Sequence, residues 1–178
     1  MKTSNNTICI SSDKLRDESP KDRDNHIAIF SEMHKRTINE LKQGRDVIYD
    51  STNLELKYRK ALYDKVKEEI DNVMAISVWI HNGMENAILQ SSRRAFRKDV
   101  SSELIRQMYS SMELPLPDTD CDCILIPKLI KEKEEYKIID SQLFAKNNFD
   151  QFIEHEKAVD IKLVEKYNKK RREQINER

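Results

Sequence analysis

The chain has 178 residues, 38% of them hydrophobic and 36% charged, and Lys+Arg and Asp+Glu both number 32, so its formal net charge is zero. That length fits one domain with a real core, and the charge balance excludes an overall field drawing the molecule to nucleic acid or an anionic membrane. Any such attraction has to come from a local patch. No apolar run approaches the ~18 residues that span a bilayer, and Met1 to Asn6 hold no hydrophobic signal region, so a cytoplasmic setting without a membrane partner is expected. Cys9, Cys121 and Cys123 are too few and too awkwardly spaced for a disulfide framework or a zinc site, and no metal site is expected.

Glycine is the most informative count. Gly44 and Gly83 are the only two. Neither a dinucleotide-binding Gly-x-Gly-x-x-Gly nor a Walker A loop can be written anywhere in this sequence.

Thr7-Ile8-Cys9-Ile10 reads as a short buried strand ending in Ser11-Ser12-Asp13-Lys14-Leu15-Arg16. After a charged stretch through Pro20, residues 23–43 read as a helix, with Ile27, Phe30, Met33, Thr37, Ile38 and Leu41 on one face and Gly44 as its C-terminal stop. Val47-Ile48-Tyr49 reads as a second strand running into Asp50-Ser51-Thr52-Asn53, from which Thr52 or Asn53 would cap a helix over about 55–71. Residues 73–80 read as a third strand, Met84 to about Phe96 as a helix, and 102–112 as another, stopped by Pro115 and Pro117. Cys123 to Ile126 reads as a fourth strand. Residues 128–146 are mixed and charged, and Phe149–Glu177 reads as one amphipathic helix with Phe152, Val159, Leu163 and Val164 on its apolar side. Strands alternating with helices argue for an α/β fold with a parallel sheet flanked by helices.

Ligands of such sheets bind beyond the carboxyl ends of the strands, where Asp13 and Asp50 stand. Asp13 suits a general base for phosphoryl transfer, with Arg16 clamping a substrate phosphate; equally, Asp13 caps a turn and Arg16 pairs with a surface acid. Asp50 could orient Arg16 or a metal-bound water. Arg93, Arg94, Arg97 and Lys98 repel one another unless an anion or an acidic partner is near, which suits a phosphate-clamping lid. A solvated helix end serves as well. The four histidines suggest no catalytic set: His26 and His34 read as surface residues, His81 follows a strand end and could line the site, though a lone histidine is more often structural, and His155 needs no role.

With these residues in order, the chain resembles the bacteriophage polynucleotide 5′-kinase family and related small P-loop kinases of the zeta-toxin-like, AAA-type ATP-binding group, over about Ile8 to Ile126. Ser11-Ser12-Asp13-Lys14-Leu15-Arg16 is similar to the strand-end motif of that family, and Asp50-Ser51-Thr52-Asn53-Leu54 to its Asp-(Ala/Ser/Thr)-Thr-Asn-Leu signature, followed by Arg59 at a usual arginine position. Arg93-Arg94-Ala95-Phe96-Arg97 is similar to its Arg-Asn-x-x-Arg lid, with Arg94 replacing the asparagine. The resemblance implies ATP and Mg²⁺ as cofactors and a nucleic-acid 5′ end or nucleoside as substrate. It implies catalytic roles for Asp13, Arg16 and Asp50, phosphate binding by Arg93, Arg94 and Arg97, and a cofactor contact from Arg97.

The departure is the Walker A segment, which in the family precedes the Ser-Ser-Asp motif; here only Met1 to Asn6 stand before the strand. Residues 1–127 are thus expected to form a P-loop kinase-like domain lacking its first strand and P-loop, with 128–178 as a charged helical extension. Such a chain is expected to be inactive as a kinase unless the loop is supplied in trans by a partner segment or by an upstream extension. The alternative is a non-catalytic binding or regulatory remnant. The family sheet order is 2-3-1-4-5, so the absent strand is central, and the second and third strands here are expected to close up into one four-stranded sheet.

Overall fold

In the chain's computed structural model, residues 6–80, 83–93, 100–132, 135–155 and 161–176 are described. Thr7–Ser11 (β1) and Asp46–Asp50 (β2) pair in parallel with Ile8 opposite Val47 and Ser11 opposite Asp50, as expected. Between them come α1 (Ser12–Glu18), a 3₁₀ turn at Pro20–Asp22, and α2 (His26–Lys42). Asn25 caps α2 by accepting the Ala28 N–H, and Gly44 follows its end at φ 73°, where glycine carries no Cβ penalty. The expected apolar face of α2 holds at Met33, Thr37 and Ile38, which are buried, and at Phe30, which packs on the core; at its start Ile29 is buried and Ile27, expected there, is 84% exposed. Ile10, Leu15, Ile29 and Met33 form a core with Phe30, Val47 and Tyr49 packed on it. Cys9 and Ile48, on the other face of the sheet, are exposed. The charged stretch after β1 is helix α1, built around buried Leu15, which the polar residues on either side of it conceal.

Helix α3 (Leu56–Glu69) leads to β3 (Ile76–Val78), α4 (Met84–Ser92) and α5 (Ser102–Ser111). β3 pairs in parallel with β4 (Cys123–Glu132), Ile76 opposite Cys123, again as expected. β4 continues past Pro127 and pairs antiparallel with β5 (Glu135–Phe144), so the region between Lys128 and Phe144 is a hairpin rather than part of a helical extension.

The expected four-stranded sheet is not formed. The strands make two sheets, β1–β2 and β3–β4–β5, and β2 does not pair with β3. β3 offers only the short run Ile76–Val78, and β4 takes on its other edge β5, which starts three positions after β4 ends, a pairing with little loop-closure cost.

The expected single C-terminal helix is two, α6 (Lys146–His155) and α7 (Ile161–Asn176), with 156–160 and Val159 outside the described residues. Tyr167 meets Phe149 edge-on at 5.5 Å between ring centroids. Eighteen residues of straight helix would hold them ~27 Å apart. Phe149 is fully buried and gathers Trp79, Phe144, Phe152 and Tyr167 into an aromatic cluster within the core that includes Ile124, Ile153 and Leu163. The chain divides into two compact units, Met1–Asn53 with Asp64–Val73, and Leu54–Tyr63 with Met74–Arg178. The described residues include no helix long and apolar enough to cross a membrane.

Candidate functional site

Parallel pairing brings Asp50, the last residue of β2, opposite Ser11, the last of β1. Asp13 lies in the first turn of α1 just beyond, so both carboxylates belong to the carboxyl ends of one strand pair, and both are exposed. Ser11 is the N-cap residue of α1 but makes no side-chain cap hydrogen bond. Arg16 is engaged at the start of the α1–α2 connection: one terminal nitrogen donates to the Arg23 carbonyl, and the other lies 3.1 Å from His26 Nδ1. The guanidinium has only donors, so Nδ1 is the acceptor in that contact.

Thr52 and Asn53 do not cap α3. That helix begins at Leu56, Asn53 sits at φ 46°, and the Leu56 N–H donates to Glu113 Oε2 at 2.8 Å. The chain leaves β2 through a left-handed residue and an extra loop before it turns helical, so a carboxylate distant in sequence reaches the first free amide.

Arg59 is buried with Asp120. Its Nε donates to Asp120 Oδ2 at 2.6 Å, and its terminal nitrogens donate to the carbonyls of Leu54 and Leu114, both at 3.0 Å. Asp120 Oδ1 accepts the Leu116 N–H at 2.7 Å. Burial pushes the Asp120 carboxyl above its ordinary value, against the pull of Arg59 and the Leu116 N–H. Asp122 accepts from the Tyr63 hydroxyl and from the Ala75 N–H, while its own N–H donates to the Ala75 carbonyl, which aligns the starts of β3 and β4. Burial, then the bond to Asp122, raises the Tyr63 hydroxyl. Burial likewise raises the Cys121 thiol, which keeps it protonated and unreactive.

Arg93 is the exposed C-cap residue of α4. Arg94, Arg97 and Lys98 lie outside the described residues, as does His81. His34, expected at the surface, is half-buried beside Tyr49, with ring centroids 5.9 Å apart. Burial and the charge of Lys65 lower its pKa.

Sequence reasoning missed Glu113, Asp120 and Asp122. All are acids in a stretch after α5 that shows no periodicity, and only their distant partners give them roles.

ATP·Mg²⁺ asks for a run of backbone N–H groups, a lysine and a Ser/Thr in one loop. Gly44 lies in the turn between α2 and β2, and Gly83 caps the start of α4. These separate positions do not fit the phosphates of ATP. Among the described residues no group of three or more His, Cys, Asp or Glu side chains could hold a metal ion. No family model, curated protein or solved structure matches this chain.

Proposed function

We propose that the chain is a polynucleotide-kinase-like phosphotransferase domain of the P-loop kinase type that carries the acceptor side of the reaction and does not itself use ATP. The acceptor class is a nucleic-acid or nucleoside 5′ end, and the setting is cytoplasmic. The observation that carries the reading is the register of β1 on β2, which brings Asp13 and Asp50 to the carboxyl ends of one parallel pair. In this reading Asp13 takes the proton of the attacking hydroxyl, which requires hydrogen-bond reach of it. Asp50 orients the acceptor beside it, and Arg16 grips the acceptor's phosphate after exchanging its bonds to Arg23 and His26 for it. Arg93, Arg94 and Arg97 bind phosphate in the second compact unit. Phosphoryl donation falls to a partner segment that supplies the loop this sequence lacks.

The engagement of Arg16 favours a second reading, a non-catalytic module that binds phosphorylated ends. Chemical-shift perturbation of the pure chain by a 5′-hydroxyl oligonucleotide tests the first. Shifts at Asp13 and Asp50 that vanish in Asp13→Asn support it, and shifts confined to the Arg93 region favour the second.

A further inference from the structure

The sheet β3–β4–β5 has one face in the core and one outside it. Ser77, Ile124 and Phe144 share a row across its three strands, and Ile124 and Phe144 belong to the aromatic core. The next row, Val78, Leu125 and Leu143, points the other way, because side chains alternate along a strand. On that outer face Val78 is 53% and Leu143 58% exposed, with Leu125 half-buried between them. Ile76, two positions before Val78, shares the face and is exposed as well. Met74 and Ile80 continue the alternation beyond the strand and are exposed, whereas Trp79, between Val78 and Ile80, is buried. Parallel strand pairs such as β3–β4 are ordinarily covered on both faces. Five large apolar side chains together on one face mark an interaction surface rather than scattered exposure.

The chemistry of the face identifies its occupant. Residues 73–80 include no charge, proline or glycine, so this stretch carries none of the features that keep exposed strands apart. None of the five exposed side chains is charged or strongly hydrogen-bonding, so the face offers nothing to a phosphate or to a charged partner. The formal net charge of the chain is zero, so two copies do not repel each other. A face of three strands ~4.8 Å apart and about seven residues long, at ~3.3 Å each, covers roughly 300 Å². That falls below the ~800 Å² per partner of a standard interface and suits a weak, reversible contact.

We propose that this outer face is the contact between two copies of the chain, packed sheet on sheet about a two-fold axis. A two-fold lays the patch on its own image, and an uncharged apolar face is its own complement. The two sheets lie ~10 Å apart, the spacing at which facing side chains interdigitate. The inference does not depend on the phosphotransferase reading.

Sedimentation velocity of the full chain across the micromolar range tests it. Wild type is expected to pass from monomer to dimer as concentration rises and to go no further. Val78→Lys is expected to weaken association by at least about tenfold, because the dimer would bury an unpaired ammonium group. Leu143→Lys does the same from β5 and carries the test if Val78→Lys fails to fold, which the fluorescence of Trp79 in the core reports. Ile27→Lys, at an exposed isoleucine of α2 in the other compact unit, is expected to dimerise as wild type does. A wild type that stays monomeric throughout overturns the proposal. So does association that survives both lysine changes on the sheet, that Ile27→Lys weakens equally, or that grows beyond a dimer.

Discussion

At the scale of single residues, the strongest constraint is the Arg59–Asp120 pair, whose side chains are 9% and 0% exposed. Removing the guanidinium leaves a buried carboxylate with its main counter-charge gone. Arg59→Leu is expected to cost about 3–5 kcal/mol in urea unfolding of the chain, the scale of breaking a buried pair from one side. A loss under about 1 kcal/mol, as for an exposed pair, contradicts this account of Arg59. His34 gives a pH signature. Its folded-state pKa lies below the ordinary 6.5, so the folded chain binds fewer protons than the unfolded one in the window beneath that value. Its contribution is full above pH 6.5 and is lost as pH falls through the lowered folded value. His34→Gln should therefore flatten the fall in melting temperature between about pH 7.5 and 5.5 relative to wild type. Parallel curves for the two proteins would remove His34 as the cause. The family resemblance drew attention to Arg59 by its position, yet its burial depended on Asp120, and no spacing in the sequence links the two.

Elements were legible where a local pattern decides them. β1, β2, the β3 segment and the first part of β4 coincide with β-prone runs, and the parallel pairing of each couple was expected. The end of α2 was legible at Gly44, while its N-cap, Asn25, lies inside the start expected at residue 23 and is shown by the structure. Asn25→Ala is accordingly expected to destabilise the chain by ~1 kcal/mol in urea unfolding, with Asn25→Asp close to wild type. Equal losses in the two variants would show that the side-chain oxygen of Asn25 is not what matters. The remainder was hidden for physical reasons. The hairpin β4–β5 is rich in lysine and glutamate, which disguises alternation on its strands, and the break between α6 and α7 follows from the contacts of Phe149 and Asp150 rather than from helix propensity. Phe149→Ala removes the ring at the centre of that cluster. A loss of about 3–5 kcal/mol is expected, with the fluorescence of the lone tryptophan, Trp79, following the same transition. A loss below about 1 kcal/mol would mean that α6 does not hold this core.

In the whole molecule the charges balance, so any attraction to nucleic acid has to come from a local patch rather than from the overall field. The strands divide between two sheets, which leaves Asp13 and Asp50 in one compact unit and Arg93 in the other. Of the proposed site, the acidic strand ends were legible from residues and their order. The engagement of Arg16 by Arg23 and His26 was not, because it depends on the unread helix α1 and the turn that follows it. The most direct measurement is a phosphoryl-transfer assay of the pure full chain with Mg²⁺, labelled ATP and a 5′-hydroxyl oligonucleotide, run beside calorimetric titration with ATP. The account predicts no transfer and no ATP binding, with the oligonucleotide end still bound. Sustained transfer that Asp13→Asn abolishes would contradict it.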